Sequence, residues 1–437
     1  AIVGGCIWAG IDDTFILPDG EVVGYGTWGP LDDRRRKKPE YWHVKKTYSP
    51  VKIQLAGNYK NDSVQLIIEN RMLFSNLNEC KIKWRAGKYN GTINPSIEER
   101  KKDTVAIHIN GKLSAVDTLF IEVYDPRNIL IDQYAFEAAP KAEEIVNKQK
   151  TGISTFKYDK TENTVSAQAS GLQINLNKQT GNISVTKTSS QNLIFKSDAL
   201  MLLRLNGEGG GTQMTGKGQV FNPFTNTGTH RVVKNIEYTC LPSSFTVTVY
   251  DNYDEAWGYT TYKFNNDNHI NIQYHYTINK DINPRQWGIV VSLANDFNTI
   301  SWKRKGLWNY YPDDHIGRLS GTANAISQAP ISGPAGPVVK PTWSWSEDRN
   351  ELGTNDFRST KMNVFEGSMQ NGKSSLQIIS NGSQSIRAWK EDNQTKLLIA
   401  GYSNLGAEGF FRAHAERFDK PLKQDDVIED TIHLQIK

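Results

Sequence analysis

The sequence predicts an all-β protein of two antiparallel sandwiches, led by one strand of parallel-sheet character. Three observations predict it. Apolar and polar residues alternate in short runs over most of the 437 residues. Turn signals such as Asn-Gly separate those runs. No long helical period follows Pro50, and the residues that suit pleated surfaces are plentiful, with 11 Trp, 18 Tyr and 16 Phe.

Residues 1–50 read as a strand plus a connector. Ala1-Ile-Val-Gly-Gly-Cys-Ile-Trp8 is a continuous apolar run, as in a strand covered on both faces, and Cys6 reads as a small buried apolar residue. No βα repeats follow to supply a parallel sheet. The expectation is therefore that Ala1 is a cut, with a parallel-sheet domain upstream. If that sheet is a barrel, Trp8, Asp12 and Asp13 end the strand on the face where barrels place their sites. Trp8 would then floor a sugar site, because a flat ring covers the C–H face of a pyranose, and the acids would hold hydroxyls. Core packing and a turn are the competing reading. Pro18-Asp-Gly20 marks a turn, and 39–48 a short helix with Pro39 at its first position and Pro50 beyond its end.

Residues 51–138 predict an immunoglobulin-like sandwich. Val64, Leu66 and Ile68 share one face, as do Val105, Ile107 and Ile109, and again Leu119, Ile121 and Val123. Asn90-Gly91 and Asn110-Gly111 are hairpin signals. Residues 137–150 are charged and Ala-rich, a linker. Residues 151–437 predict one large two-sheet sandwich with long connections. Leu172, Ile174 and Leu176 alternate into the turn Asn177-Lys-Gln-Thr-Gly181, and Phe245, Val247 and Val249, then Ile270, Ile272, Tyr274 and Tyr276, repeat the pattern. Residues 322–345, rich in Pro, Gly, Ser and Ala, predict a long surface loop.

Composition narrows the partners. A net charge of +4 does not call for nucleic acid, and the one basic run, Arg34-Arg-Arg-Lys-Lys38, has no interleaved aromatics. No apolar run reaches the ~20 residues of a membrane span. Cys6, Cys80 and Cys240 are too far apart for a metal framework. They leave the compartment undecided, compatible with a periplasmic or secreted bacterial setting.

Few motifs carry chemistry. Gly207-Glu-Gly-Gly-Gly211 lacks the Lys-Ser/Thr of a phosphate loop and reads as a turn. Asp313-Asp314-His315 could hold a metal, but acids and His this close read first as an ion-pair network with Arg318, so no metal and no cofactor is expected. Trp343 and Trp345, beside Glu347 and Asp348, are candidate sugar contacts, against the alternative of a loop folded on the sheet.

With these segments in hand, the chain resembles glycoside hydrolase family 2, in particular the C-terminal half of β-galactosidases. Gly4-Gly5-Cys6-Ile7-Trp8 looks like that family's last barrel strand. Asp33-Arg34, Pro39-Glu40 and Lys45-Lys46-Thr47-Tyr48-Ser49-Pro50-Val51 look like its exit from the barrel. Asn70-Arg-Met-Leu-Phe74-Ser-Asn-Leu77 resembles the sandwich that follows. Residues 302–318, with Tyr311-Pro312-Asp313, and Gly353-Thr354-Asn355-Asp356-Phe357-Arg358 resemble its terminal large sandwich. The resemblance implies the remnant of a (β/α)8 barrel, an immunoglobulin-like sandwich and a large galactose-mutarotase-like β super-sandwich.

It also implies retaining hydrolysis of β-glycosides by two glutamates in the full-length enzyme. Neither glutamate's context occurs here: Asn78-Glu79 and Asn350-Glu351 lack the following Pro of the family's acid/base. Both are expected upstream of Ala1, so this chain alone should be inactive, its partners being a carbohydrate substrate, the upstream barrel of the same polypeptide and, at most, a further copy of itself. Trp8 resembles the barrel-strand Trp that lines the galactose site. Ala9 replaces an acid, the loop at 24–30 is short, and Ala407-Glu-Gly-Phe410-Phe411 carries no Trp where β-galactosidases send one into the site, so a glycan other than galactose fits equally. The alternatives are a stand-alone carbohydrate-binding or scaffold module, and a super-sandwich lyase or epimerase using His269, His275 or His315.

Overall fold

A computed structural model describes residues 6–7, 9–11, 13–16, 18, 22–26, 29–31, 35, 37, 39–57, 63–109, 118–137, 154–189, 192–204, 228, 230–312, 317–324, 360–403 and 420–437. The fold is all-β, with one α-helix among the described residues. The chain divides into two compact units. One takes its described residues from 1–12, 27–146 and 306–319, the other from 13–26, 147–305 and 320–437.

Most of the first strand's motif lies outside the described residues. Ile11 forms a parallel bridge to Leu31. Cys6, expected to be buried, is exposed, and Ile7 beside it is 43% exposed. An apolar strand stays buried only when neighbours cover it, and residues 6–7 carry no strand pairing here. Next come β1 (Asp13–Ile16) and β2 (Val22–Gly26), an antiparallel hairpin around the turn at Pro18.

In the first unit, α1 (Pro39–Tyr48) starts and ends where the two prolines set it. Lys45 and Lys46 in its last turn complement the helix dipole. The seven strands after it form two sheets. One holds β3 (Val51–Leu55), β4 (Ser63–Asn70) and β7 (Lys102–His108) in the order β3-β4-β7. The other holds β5 (Lys81–Ala86), β6 (Tyr89–Ile93), β8 (Thr118–Tyr124) and β9 (Leu130–Glu137) in the order β6-β5-β8-β9. Their inner faces share one core that includes Ile53, Leu66, Ile68, Ile82, Leu119 and Ile121. Each such side chain contributes about 1.5–3 kcal/mol by leaving water. This is an immunoglobulin-like arrangement of two sheets over a shared core.

One hairpin differs from its sequence signal. Ala86 pairs with Tyr89, so the turn is Gly87-Lys88, with Gly87 at φ 53°. Asn90 and Gly91 lie inside β6. Gly91 is there because a Cβ would stand 2.8 Å from the Trp84 ring across the pair. The other Asn-Gly pair, at 110–111, lies outside the described residues.

Besides the β1–β2 hairpin, the described strands of the second unit form one antiparallel sheet of sixteen strands. In chain order they are β10 (Lys157–Lys160), β11 (Thr164–Ala169), β12 (Leu172–Asn177), β13 (Ile183–Lys187), β14 (Leu193–Arg204), β15 (Val232–Cys240), β16 (Ser244–Asn252) and β17 (Ala256–Asn265). There follow β18 (His269–Ile278), β19 (Pro284–Ala294), β20 (Thr299–Arg304), β21 (Ser320–Asn324), β22 (Lys361–Gln370), β23 (Ser375–Glu391), β24 (Gln394–Ser403) and β25 (Val427–Ile436). The main path runs β10-β11-β12-β13-β14-β19-β24-β23-β25-β18-β17-β16-β15, with β22, β20 and β21 branching from β23.

The path folds back on itself into two layers. Phe195 of β14 stacks on Phe264 of β17 with ring centroids 6.3 Å apart, and Tyr158 of β10 meets Phe245 of β16 at 5.8 Å. The turn before β13 behaves as its sequence requires: Asn177 accepts the amides of Gln179 and Thr180, and Gly181 takes φ 68°. Between the layers Asp251 is buried. One carboxylate oxygen accepts from Tyr276 Oη at 2.7 Å, and the other from Arg231 Nε at 2.7 Å and Tyr253 Oη at 3.3 Å. These bonds make the buried charge tolerable.

Candidate functional site

The inner face of β19 and β24 feeds the core of the second unit, and strand alternation aims the intervening residues to the opposite face. There Met201, Val290, Trp389, Leu398 and Ala400 form a separate buried cluster. At its end, where β14 and β24 finish and β19 and β22 begin, stands a polar group. Arg387 is fully buried and donates from Nη1 to Gln286 Oε1 at 2.5 Å. The Gln286 amide in turn donates to Ser403 Oγ at 2.6 Å and to Thr360 Oγ1 at 3.2 Å. The Arg387 guanidinium also lies 5.5 Å from the Trp389 ring.

The second unit also holds a cavity of about 400 Å³, lined in part by Leu202, Glu255, Asp281, Asn283, Pro284 and Lys423. That volume is in the range of small-molecule sites. Pro284 opens β19, and Leu202 pairs with Trp287 on the core face of the sheet. Trp287 stacks on Tyr402 at 4.2 Å, with Lys420 Nζ 5.1 Å from the Trp287 ring. Asp281 accepts from Lys423 Nζ at 2.8 Å and from the Gln424 amide at 3.0 Å. The Lys423 bond, then the amide, hold its carboxyl below the usual carboxylate range. The Arg387 guanidinium and the Gln286 amide supply charge and hydrogen bonding, suited to orienting a ligand.

In the first unit, three segments quoted for the family resemblance come together. Trp42 of α1 donates its indole N–H to Tyr310 O at 2.9 Å, and Trp308 donates to His43 Nδ1 at 2.9 Å. Lys46 of α1 is buried and donates from Nζ to Asp132 Oδ1 and to Gln133 O, each at 2.7 Å. Its amine is lowered by burial, an effect that Asp132 partly offsets. Tyr134 Oη shares its proton between Asp132 Oδ2 and Val51 O, at 2.8 and 2.7 Å. Asn70 is buried and staples the loop after β4. Its Nδ2 donates to Ser75 O, Ile97 O and Glu98 O, and its Oδ1 accepts the Met72 amide. Leu77, which ends that motif, is buried, whereas Phe74 is 92% exposed.

The residues singled out in the sequence fare as follows. Trp8, Asp12, Trp343 and Trp345 lie outside the described residues, as do Asp313, Asp314 and His315. His269 and His275 are six residues apart on one strand, about 20 Å, and do not converge. Among the described residues, no three His, Cys, Asp or Glu side chains group as metal ligands. Arg387 and Gln286 were not foreseen. Their signal was a charged residue inside Ile386-Arg387-Ala388-Trp389, a run otherwise apolar on both faces.

No protein-family model matches the chain, and no curated protein matches it. Among solved structures, galactose 1-epimerase from Lactobacillus acidophilus is similar at 9% identity and TM-score 0.33, over 65% of this chain and 99% of that one. The alpha-N-acetylgalactosaminidase NagBb from Bifidobacterium bifidum is similar at 9% identity and TM-score 0.30, over 62% of this chain and 36% of that one. A copper-containing benzylamine oxidase from Hansenula polymorpha is similar at 9% identity and TM-score 0.29, over 96% of this chain and 85% of that one. Likenesses of this size span an epimerase, a glycosidase and an oxidase, and they carry no argument about activity.

Proposed function

We propose that the chain forms the β-sandwich portion of a family 2-like, β-galactosidase-like glycoside hydrolase. The observation that supports this reading most is the assembly in the first unit. The barrel-exit segment (α1 and Val51), the sandwich and the segment around Tyr310-Tyr311 are far apart in sequence, yet they pack as one body through Trp42, His43 and Trp308. That is what segments from one ancestral architecture do, and an accidental string of short motifs has no reason to do it. In this reading the immunoglobulin-like sandwich occupies 51–138 and a galactose-mutarotase-like super-sandwich 151–437. The two glutamates of retaining hydrolysis belong to a (β/α)8 barrel, and the present residues support that barrel and its carbohydrate substrate. Trp8, Asp12, Trp343 and Trp345 remain the proposed sugar contacts.

The experiment is an assay of the purified chain on aryl β-galactoside and aryl β-glucoside. The expected rate is that of buffer. Turnover that disappears when one of the chain's own carboxylates is replaced would refute the reading. A second reading, a carbohydrate-binding module, is favoured by the 400 Å³ cavity, whose described lining residues all belong to the second unit.

A further inference from the structure

The outer face of the second unit's β16–β17–β18–β25 ladder carries an aromatic row that neither the core nor the candidate site uses. Tyr250 pairs with Tyr259, Tyr259 with His275, and His275 with Glu429, so four side chains line up across four strands. Tyr250 and Tyr259 approach at 5.6 Å between ring centroids. Tyr259 and His275 stack at 5.6 Å with only 15° between their planes. His275 Nδ1 ends the row 3.0 Å from Glu429 Oε2. The inward neighbours Val249, Tyr274, Tyr276 and Ile428 are buried, so alternation turns this row to solvent.

The two flanking rows fit the same purpose. On one side Trp257, 52% exposed, pairs with Asn252 and Thr277, and Val427 follows. On the other side Thr248, Thr261, Gln273 and Thr431 align, with the first two hydroxyls 2.9 Å apart. The charges along the three rows are acidic: Glu429, 3.0 Å from His275, and Glu237 of β15, which pairs with Thr248 and accepts from Tyr250 Oη at 3.3 Å. A polyanion would find no field to hold it. A protein partner burying a core would have to desolvate a row of hydroxyls and an amide.

We propose that this face binds a neutral, extended β-linked glycan. Trp257 takes the C–H face of one pyranose, the edge of the Tyr259–His275 stack borders the next, and the Thr–Gln row and Glu429 take their hydroxyls. Trp257 and Tyr259 stand two residues apart on β17, roughly 7 Å, and Tyr259 and His275 continue the row across the sheet, which suits an extended chain better than a compact sugar. The proposal names a binding surface within the carbohydrate reading and rests on it. Binding alone reads it out, so its failure is separate from the outcome of the hydrolysis assay.

The test is titration of the full chain with cellohexaose and with β-1,4-linked xylohexaose, followed by intrinsic tryptophan fluorescence and calorimetry, with chondroitin sulfate as the polyanion. Saturable binding to at least one neutral hexaose is expected. Trp257→Ala should weaken it about tenfold, the scale of one lost ring contact, and Trp257→Phe should largely restore it. Tyr259→Leu should weaken it too, with cooperative unfolding retained as the control for folding. Absence of binding to both hexaoses, binding of chondroitin sulfate alone, or an unchanged affinity in folded Trp257→Ala would each overturn the proposal.

Discussion

Trp308 donates its indole N–H to the Nδ1 of His43, 265 positions earlier in the chain, at 2.9 Å. The tautomer of His43 is fixed by this bond, since Nδ1 must be the acceptor. Trp42 beside it is almost fully buried, and its own N–H is spent on Tyr310 O. Removing Trp42 therefore removes packing and leaves a carbonyl without its donor. Trp42→Ala should cost the first unit about 3–5 kcal/mol, measured by urea unfolding followed in the near-ultraviolet. A loss below about 1 kcal/mol would show that the segment at 306–319 does not hold to α1 in solution.

Lys46 and Asp132 form a fully buried ion pair at 2.7 Å. Desolvation consumes most of the Coulomb gain of such pairs, so breaking one is costly while replacing both is not. Asp132→Asn alone should destabilise by about 3–5 kcal/mol, because it leaves the Lys46 charge without its partner. Lys46→Met combined with Asp132→Leu should recover most of that loss. A double-mutant cycle by denaturant titration checks both. Additive single effects would mean that the charges do not interact.

Gly91 is fixed by the Trp84 ring across the hairpin. Gly91→Ala should destabilise by about 1–3 kcal/mol through overpacking, although its φ is ordinary. Equilibrium unfolding of the variant measures this. A neutral or stabilising result would show that the indole moves aside freely.

Burial raises several tyrosines, which gives an alkaline signature. Tyr158, whose hydroxyl donates toward Leu241 O and Ser244 O, is pushed up to about 12 from 10.0, chiefly by desolvation. Tyr134, Tyr253, Tyr262, Tyr274 and Tyr276 are shifted upward further, again with desolvation first. A phenol whose folded value is raised keeps its proton longer in the folded chain. From pH 10 to 12 the folded state then holds more protons than the unfolded one, so stability present below pH 10 is lost as pH rises. Tyrosinate absorbance should rise in two stages, the second coincident with loss of the near-ultraviolet dichroism. A single smooth titration of all 18 tyrosines in the folded chain would contradict this.

Much of the fold was legible because strand periodicity is local. Val64, Leu66 and Ile68, and Leu119, Ile121 and Val123, are buried as their alternation requires. The helix at 39–48 was legible from its bracketing prolines. The Asn90-Gly91 turn was misplaced because a glycine needed for ring packing looks, in sequence, like one needed for a turn. Cys6 was misjudged because burial of a strand depends on neighbours that the strand itself does not encode. Arg387 and Gln286 escaped notice because they are brought together by β19, β23 and β24, over about a hundred residues of separation. The row from Tyr250 to Glu429 likewise exists only once the register of three strand pairs is set.

The most direct measurement is hydrolysis by the purified chain of an aryl β-galactoside, with Asp251→Asn and Glu255→Gln variants assayed alongside. No release of the aryl group above the buffer rate is the expected result for the wild type and both variants. Steady turnover by the wild type, abolished in either folded variant, would place a working carboxylate inside these sandwiches and contradict the proposed division of labour.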